Sequence, residues 1–597
     1  MAFTMQENVG DVRWGEYSAD EYSDALAASL KLGGVDHLFF VSGMEIAFWQ
    51  EAVAKANARG WPAPRLITVT HEGVALNAAL GSSMVSGQPT ATAVHVDVGT
   101  FNYGAALHTA WRGNYPVMIM AGTGPRAFPG SMNGARTRAV QWVQEPRDQG
   151  EIVRQYTKMD HRLEHQDNPG LIVSRLLQVA MSEPKGPVYL ATPPETAMLS
   201  LPGTTRFPTR DQLGVAREAW PDPADARRVA EWLIKANTPC IYPGRSGRNP
   251  ESVAALVRLS ELLAIPVMGQ RGERLNFPVT HDLYGTGPAP KDADALLVLE
   301  TPLAWVPGPD SPREDAKIVW VDPDAVQSRY KTMEFCADLW LPVNAKAAAD
   351  AIYEAALVLL TKSDLSRIED RRTRLAERKR SQNAAAEEAG QKAGRRRPLD
   401  PRWVHYQVGK ILEPDAILVD DTLGGMLPAY HRRTQPGTYF KSGGSSGGWG
   451  AGAAFGAKLA RPGCDVIQTT GDGYFMFGSP LPALWCGGHH KAPFLTVVFV
   501  NKSYTTGTHG LHAAYPNGVA ISTGNYTGGL FEPAPNFAKL AEAANGYGEL
   551  VSDPDQVGPA LQRALSYTRQ GTPALIAVDL PTLVEERAMA GEQKALL

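Results

Sequence analysis

Two oxygen-bearing side chains in the last third of the chain have the types and the spacing of a magnesium site. Asp472 stands between Gly471 and Gly473 directly after the strand-like run DVIQ, and Asn501 ends the apolar run FLTVVFV 29 residues further on. Glycines beside an aspartate let the backbone turn sharply and approach a phosphate. Carboxylate, amide and phosphate oxygens are the ligands that Mg²⁺ prefers. Because a tight surface turn explains GDG alone about as well, the prediction rests on its combination with Asn501.

Asp472 and Asn501 can meet only if they follow parallel strands that end at the same edge of a sheet. The sequence predicts three such parallel sheets. Short β-rich runs alternate with helical patterns, which indicates an α/β fold of three doubly wound parallel-sheet domains, residues 1–200, 216–361 and 401–597. Ligands bind such sheets at the carboxyl ends of their strands, so we expect Asp472 and Asn501 to meet there. The clearest strand-like runs are DHLFFV (36–41), TATAVHV (90–96), PVMIMAG (116–122), GPVYLAT (186–192), DAILVDD (415–421) and ALIAVDLP.

Residues 362–400 form a highly charged segment between the second and third predicted domains. A basic run could bind an anionic partner, but acidic residues are interspersed here. The pattern therefore favours a solvated helix and linker.

Composition excludes several classes of protein. A net charge of −4 gives no indication of a basic surface that would bind nucleic acid. The four cysteines lack CxxC spacing, which argues against a disulfide framework or a zinc site and fits a reducing cytoplasm. The N-terminal segment is polar and does not resemble a secretory signal, and the apolar runs are far too short to span a membrane. We expect a cytoplasmic protein without a nucleic-acid or membrane partner.

Taken together, the motifs resemble those of the thiamine diphosphate-dependent decarboxylases and carboligases, the family of acetolactate synthase, pyruvate decarboxylase and benzoylformate decarboxylase. The GDG motif followed by an asparagine is similar to the family's diphosphate-binding motif, and the similarity covers nearly the whole chain. The other matching segments are THEGVALNAALG (70–81), GTFNYGAAL, VQE (143–145), GPVYLATPPE, AIPVMGQRGERLNFPVTHDLYGTG, VDPD (321–324) and SGGSSGGWGAGAAFGAKLARP.

This resemblance implies an enzyme that uses thiamine diphosphate and Mg²⁺ to cleave or form a carbon–carbon bond beside a carbonyl group. The expected reactions are decarboxylation of a 2-oxo acid, acyloin formation of the acetolactate synthase type, or both, on small 2-oxo acids, diketones or aldehydes. The first domain would hold the aminopyrimidine of the cofactor, and the third domain would hold its diphosphate. Because the two domains of one site would come from different subunits, the resemblance implies a homodimer or homotetramer. Some relatives bind FAD in the middle domain, but nothing in this sequence supports FAD.

Three alternatives stay open. The enzyme could be a carbon–carbon lyase or hydrolase of a 1,2-diketone or acyloin, or a flavin-dependent oxidase if the middle domain binds FAD. It could also be a non-catalytic scaffold or regulatory relative. Fold alone does not choose among such activities.

The resemblance also assigns roles to individual residues. Glu72 would hydrogen-bond the pyrimidine nitrogen and so activate the cofactor, with His71, Gln144 and Glu145 near the reacting centre. The metal ligands would be Asp472, Asn501 and the backbone oxygen of Ser503; a competing register puts Lys502 in place of Asn501. The expected cofactor-binding residues are Glu72, Leu423, Gly424, Gly425, Gly448, Trp449, Gly471, Asp472, Gly473, Tyr474, Asn501, Ser503 and Tyr504.

Other residues have ambiguous roles, and two depart from the family pattern. We expect His489 and His490 to lie in a solvated turn, whereas His509 and His512 follow the metal loop and could reach substrate. In the family pattern a bulky apolar residue lies under the cofactor where this chain has Gly447, and a proline stands where it has Gly452. Either the register of the match is shifted at Gly447 or another side chain supplies the bulky contact. Bulky residues near the expected site either hint at a substrate other than pyruvate or serve in packing: Phe48, Trp49, Trp142, Trp449 and Tyr504.

Overall fold

The computed structural model describes residues 14–201, 204–209, 213–269, 273–582 and 585, and within them three parallel sheets follow one another along the chain. Most of the polar N-terminal segment and parts of the loop 201–215 lie outside these residues. The predicted fold class is confirmed: each sheet is parallel and has helices between its strands.

The first sheet has the strand order β3-β2-β4-β5-β7-β6, and an antiparallel pair β1-β8 flanks it. Its central strands are buried along their whole length, as parallel strands covered on both faces must be. The strands are β1 Trp14–Ser18, β2 His37–Phe40, β3 Arg65–Thr68, β4 Thr90–Val94, β5 Val117–Gly122, β6 Asp160–Arg162, β7 Val188–Thr192 and β8 Thr204–Pro208. The helices are α1 Tyr22–Leu32, α2 Phe48–Arg59, α3 Glu72–Ser86, α4 Val96–Phe101, α5 Gly104–Arg112, α6 Val140–Val143, α7 Pro169–Met181 and α8 Pro194–Ala197.

The middle sheet has the order β12-β11-β10-β9. Buried ion pairs fill its carboxyl edge: Arg245 pairs with Glu273 at 3.2 Å and Arg248 with Glu300 at 2.9 Å. The sequence left open whether the middle domain binds FAD, and this edge of the middle sheet gives no support for FAD binding. The elements are β9 Pro239–Pro243, β10 Ala295–Leu299, β11 Lys317–Val321, β12 Leu339–Leu341, α9 Pro223–Lys235, α10 Pro250–Leu263 and α11 Ala345–Leu359.

The charged segment 362–400 contains one long helix, α12 (Lys362–Gly394). The helix was expected to be solvated throughout, but two of its cations are buried. The Arg371 guanidinium donates to the carbonyl oxygens of Ala236 and Ala264 at 2.9 and 3.1 Å, and the Lys379 ammonium donates to that of Val279 at 2.8 Å. These charges satisfy backbone oxygens of the middle domain and fix the helix against it.

The third sheet has the order β14-β13-β15-β16-β18-β17. Its strands are β13 Ile417–Asp421, β14 Tyr439–Lys441, β15 Val466–Gly471, β16 Leu495–Val500, β17 Tyr547–Val551 and β18 Ala574–Asp579. The helices are α13 Pro401–Ile411, α14 Pro428–His431, α15 Gly450–Ala460, α16 Asp472–Phe477, α17 Pro480–His489, α18 Thr505–Ala514, α19 Val519–Thr523, α20 Phe537–Ala543 and α21 Pro554–Arg569.

The first and third domains share one hydrophobic core, in which α3 packs directly on α15. Glycines allow this close approach: a Cβ at Gly81 would lie 2.0 Å from the carbonyl oxygen of Ala453, and one at Gly456 would lie 1.8 Å from that of Ala78. The same interface corrects the prediction of a solvated turn for His490 only, because His489 is exposed as expected. His489 ends α17, and the ring Nε2 of His490 lies 2.7 Å from the carbonyl oxygen of Thr68 in the first domain.

Candidate active site

Asp472 lies where the sequence predicts, at the turn from β15 into α16. Its side chain is buried and accepts two backbone N–H groups, from Gly473 at 2.8 Å and from Lys502 at 2.7 Å. Burial raises the pKa of Asp472 to about 6 although these backbone hydrogen bonds lower it. A cation beside this carboxylate would restore its charged form.

Asn501 follows β16, the neighbour of β15, so Asp472 and Asn501 end adjacent strands as expected. The Asn501 Oδ1 accepts the N–H of Ser503 at 3.2 Å. Lys502, the alternative ligand, turns its ammonium away from the aspartate to Asp579 at 2.8 Å. The structure therefore gives Asp472 an amide neighbour, and Lys502 contributes only its backbone N–H.

Leu423, Gly424 and Gly425 form a loop after β13, at the same sheet edge. A Cβ at Gly424 or Gly471 would meet no atom within 4 Å, so the backbone there is open to a ligand. The Lys441 ammonium at the end of β14 lies 3.4 Å from the carbonyl oxygen of Leu423. No pattern in the sequence indicated this lysine, because strand β14 is only 3 residues long.

Asp421, which the sequence did not indicate either, hydrogen-bonds the backbone of the glycine-rich loop. Its Oδ2 accepts the N–H groups of Gly448 and Gly450 at 3.0 and 3.1 Å, and burial raises its pKa to about 8 despite these hydrogen bonds. Asp421 is the last residue of β13, and Asp472 directly follows β15. The position of Asp421 at a strand end was therefore the signal that could have identified it as a site residue.

Trp449 opens α15, but its side chain is buried in the shared core. Only its backbone is available to a ligand. Phe48 and Trp49 are buried as well, so burial favours packing, the alternative role, for these three aromatic residues. Trp142 and Tyr504 are exposed, and the Tyr504 ring stacks on Phe477 with centroids 5.8 Å apart.

Glu72 is the first residue of α3 and lies half-buried after β3. Its carboxylate accepts the Asn102 amide at 3.1 Å. His71 caps the helix: its Nδ1 accepts the N–H of Gly73 at 3.2 Å, while its Nε2 lies 3.4 Å from the Ser479 hydroxyl. Within the described part of one chain, no hydrogen bond or ion pair joins Glu72 to Asp472.

Gln144 and Glu145 follow α6 in the first domain. The Glu145 carboxylate is paired with Arg126 at 2.8 Å and with Arg136. Gln144 Oε1 is buried and has no hydrogen-bond partner among the described residues. His509 is exposed on α18, and His512 hydrogen-bonds the Tyr526 hydroxyl at 2.9 Å.

A triad of two buried side chains, Glu45 and Gln141, and the partly exposed His95 at the carboxyl edge of the first sheet escaped sequence reasoning. His95, just after β4, hydrogen-bonds through Nε2 to Glu45, and the Gln141 amide donates to the other Glu45 oxygen at 3.0 Å. Burial raises the pKa of Glu45, but these hydrogen bonds outweigh it and hold the pKa below its usual value. A histidine directly after the run TATAV was the one local signal; its carboxylate partner lies 50 residues away.

The donors around Asp472 fit a magnesium ion that takes part of its coordination from a phosphorylated ligand. Among the described residues, no group of three or more His, Cys, Asp or Glu side chains could hold a metal by itself. One carboxylate, one amide and one carbonyl oxygen leave octahedral positions for phosphate oxygens. The fold and this edge therefore define a multidomain α/β enzyme for a phosphorylated cofactor.

Sequence comparison names that class. The family model "Thiamine pyrophosphate enzyme, N-terminal TPP binding domain" matches residues 20–152, and "Thiamine pyrophosphate enzyme, C-terminal TPP binding domain" matches residues 424–578. The chain belongs to the thiamine pyrophosphate (thiamine diphosphate) enzymes, in their decarboxylase and acetolactate synthase-like branch.

Several curated relatives match over nearly their full lengths. Benzoylformate decarboxylase of Pseudomonas aeruginosa is 26% identical over 87% of this chain and 92% of its own. The acetolactate synthase large subunit of Mycobacterium tuberculosis is 27% identical over 93% and 94%. Sulfoacetaldehyde acetyltransferase of Castellaniella defragrans is 26% identical over 91% and 90%.

Solved structures agree on the fold. Benzoylformate decarboxylase from Polynucleobacter necessarius superposes with a TM-score of 0.72 at 20% identity, covering 95% of this chain and 99% of that one. The thiamine diphosphate-dependent 4-hydroxybenzoylformate decarboxylase of Rhodococcus jostii gives 0.72 at 21% identity, over 94% and 99%. Every helix within the described residues is too short or too polar to cross a membrane.

Proposed function

We propose that this protein is a thiamine diphosphate- and Mg²⁺-dependent decarboxylase of a 2-oxo acid with a bulky side chain. The observation that carries the proposal is the buried Asp472 beside Asn501 at the ends of two adjacent strands. Asp472, Asn501 and the Ser503 carbonyl would hold the metal, and Leu423, Gly424 and Gly425 the diphosphate, with Lys441 adding a positive charge.

Glu72 would bind the aminopyrimidine through its carboxylate, which Asn102 holds from one side. The cofactor supplies the electron sink that makes loss of CO₂ from a 2-oxo acid possible. The remaining tasks fall to side chains of the protein: binding the carboxylate, excluding water and moving protons.

His95 is suited to move the proton that replaces CO₂. Glu45 fixes its Nε2, so Nδ1 remains to exchange a proton with the reacting carbon, and the side chain is 26% exposed. In the net reaction the carbon–carbon bond to the carboxylate breaks, CO₂ leaves, and a proton takes its place, so that the 2-oxo acid gives an aldehyde. Attack of the same carbon on a second carbonyl group would give an acyloin, the outcome that the acetolactate synthase-like relatives suggest.

A second copy of the chain would complete the site. Glu72 and Asp472 lie in different domains, and each domain carries exposed apolar side chains on its short helices and loops at the strand ends. Such residues mark surfaces that bind a partner or a ligand. They are Phe101, Trp142, Val143, Leu423 and Phe477, with exposures of 62%, 51%, 82%, 50% and 63%. We propose a homodimer or homotetramer, placed in the cytoplasm because all four cysteines are free thiols.

The substrate class rests on the apolar character of this edge. Met44 and Trp142 are 47% and 51% exposed and flank the triad of Glu45, His95 and Gln141. Apolar walls with few polar groups are typical of sites for small organic ligands. They favour an aromatic 2-oxo acid such as benzoylformate over pyruvate.

Calorimetric titration of thiamine diphosphate with Mg²⁺ tests the cofactor. We expect binding by the wild-type protein and by Glu542→Ala, an exposed acid on α20, and loss of binding in Asp472→Ala. A folded wild-type protein that binds no cofactor would refute the proposal. CO₂ release from benzoylformate and pyruvate then tests the substrate, and faster turnover of pyruvate would contradict the bulky-substrate assignment.

A further inference from the structure

The glycine-rich loop lies flat against one aromatic ring. A Cβ at Gly447 would lie 2.3 Å from Cδ1 of Tyr474, and one at Gly448 would lie 2.8 Å from the Tyr474 carbonyl oxygen. Real Cβ atoms do not approach other atoms so closely, so any side chain at position 447 would displace the ring. Gly447 is not in the left-handed backbone region. Space, and not backbone conformation, therefore demands glycine there.

Tyr474 is placed to contact the ligand that Asp472 binds. It lies two residues after the aspartate, in the first turn of α16, and its ring is only half-buried. Its hydroxyl makes no hydrogen bond within the described residues, although most tyrosines that are partly buried find a partner. The glycine loop supports the ring on one side, and part of the remaining surface is open.

We infer that Tyr474 and Gly447 have exchanged roles relative to the family pattern, so that the Tyr474 ring is the bulky contact under the cofactor. The family pattern that the sequence resembles has a bulky apolar side chain at the position of Gly447. Here the space at that position is filled by a ring that enters from α16. This inference rests on the proposed function and makes Tyr474 a positioning residue for the cofactor.

The exchange explains a small residue at 447 beside a large one at 474. A large side chain at both positions would overlap, and small ones at both would leave the loop unsupported. The pair should therefore tolerate reversal, with leucine at 447 and alanine at 474, much better than either change alone.

The test is a double-mutant cycle on the full-length protein with Mg²⁺, using Gly447→Leu, Tyr474→Ala and the combined variant. Two quantities are measured: the dissociation constant of thiamine diphosphate by calorimetry and the melting temperature without cofactor. Tyr474→Ala should weaken binding about 5- to 150-fold, the range for loss of one stacked aromatic contact. Gly447→Leu should weaken binding and lower the melting temperature because leucine displaces the ring.

The combined variant should recover cofactor affinity to within about tenfold of wild type, because the two changes are coupled. Tyr474→Phe, the matched control, keeps the ring and should bind like wild type. Losses that simply add in the combined variant would overturn the inference while leaving the proposed function intact. Failure of the wild-type protein to bind thiamine diphosphate would overturn the proposed function and this inference with it.

Discussion

Replacing Gly81 with alanine should destabilise the protein and weaken its cofactor site, although Gly81 is in the middle of α3 and far along the helix from Glu72. The added Cβ would lie 2.0 Å from the carbonyl oxygen of Ala453, and ordinary contacts begin near 3.4 Å. The helices α3 and α15 would have to separate by about 1.4 Å at this point. Because α3 is buried from Val74 to Met84, the surrounding core resists that movement.

The expected loss of stability follows from two opposing terms. Overpacking a core costs about 1–3 kcal/mol and more when backbone must move. Alanine in a helix interior stabilises the helix by about 1 kcal/mol relative to glycine. Because the clash is with a backbone oxygen and not with a flexible side chain, we expect a net loss of about 2 kcal/mol. The separation also moves Glu72 and the glycine-rich loop, which precede or begin these two helices and would each meet the cofactor together with a second copy of the chain.

Urea denaturation followed by circular dichroism measures the first effect, and the thiamine diphosphate dissociation constant measures the second. Gly510→Ala is the matched control, since a Cβ there meets no atom within 4 Å on the exposed helix α18. The control should gain up to about 1 kcal/mol. If Gly81→Ala is as stable as wild type while Gly510→Ala behaves as expected, the close crossing of α3 and α15 is wrong.

Three further predictions concern the site. His95→Gln should lower kcat for decarboxylation about 10²- to 10⁴-fold, and Glu45→Gln by less, with little change in KM; equal activity of His95→Gln and wild type would exclude His95 as the proton carrier. The pKa of Asp421 is raised to about 8 by burial, so between about pH 4 and 8 the folded chain holds a proton that the unfolded chain lacks, and stability falls as pH rises across that window. Asp421→Asn should flatten this dependence in melting experiments on the protein without cofactor, and an unchanged slope would show that Asp421 is ionised. Lys441→Gln should weaken thiamine diphosphate binding about tenfold and reduce its salt dependence, whereas unchanged binding in low salt would show that Lys441 does not contact the diphosphate.

Buried strands were predictable because burial on both faces leaves a continuous apolar run. The runs VMIMAG and LTVVFV appear in the structure as β5 and β16, at the expected places. The missed strands lie at sheet edges, where one side has no neighbour. The sequences of β6 and β14, DHR and YFK, are only 3 residues long, so no periodicity identifies them.

The same distinction between local and long-range information separates the site residues. Asp472 is recognisable because its two flanking glycines and the strand before it lie within a few residues of sequence. The contact of His95 with Glu45 depends on β2 and β4 being neighbours in the sheet, which no local pattern states. Gly447 shows this most clearly: in the sequence it is a departure from the family pattern, and only the position of the Tyr474 ring in the folded chain explains why no larger residue fits there.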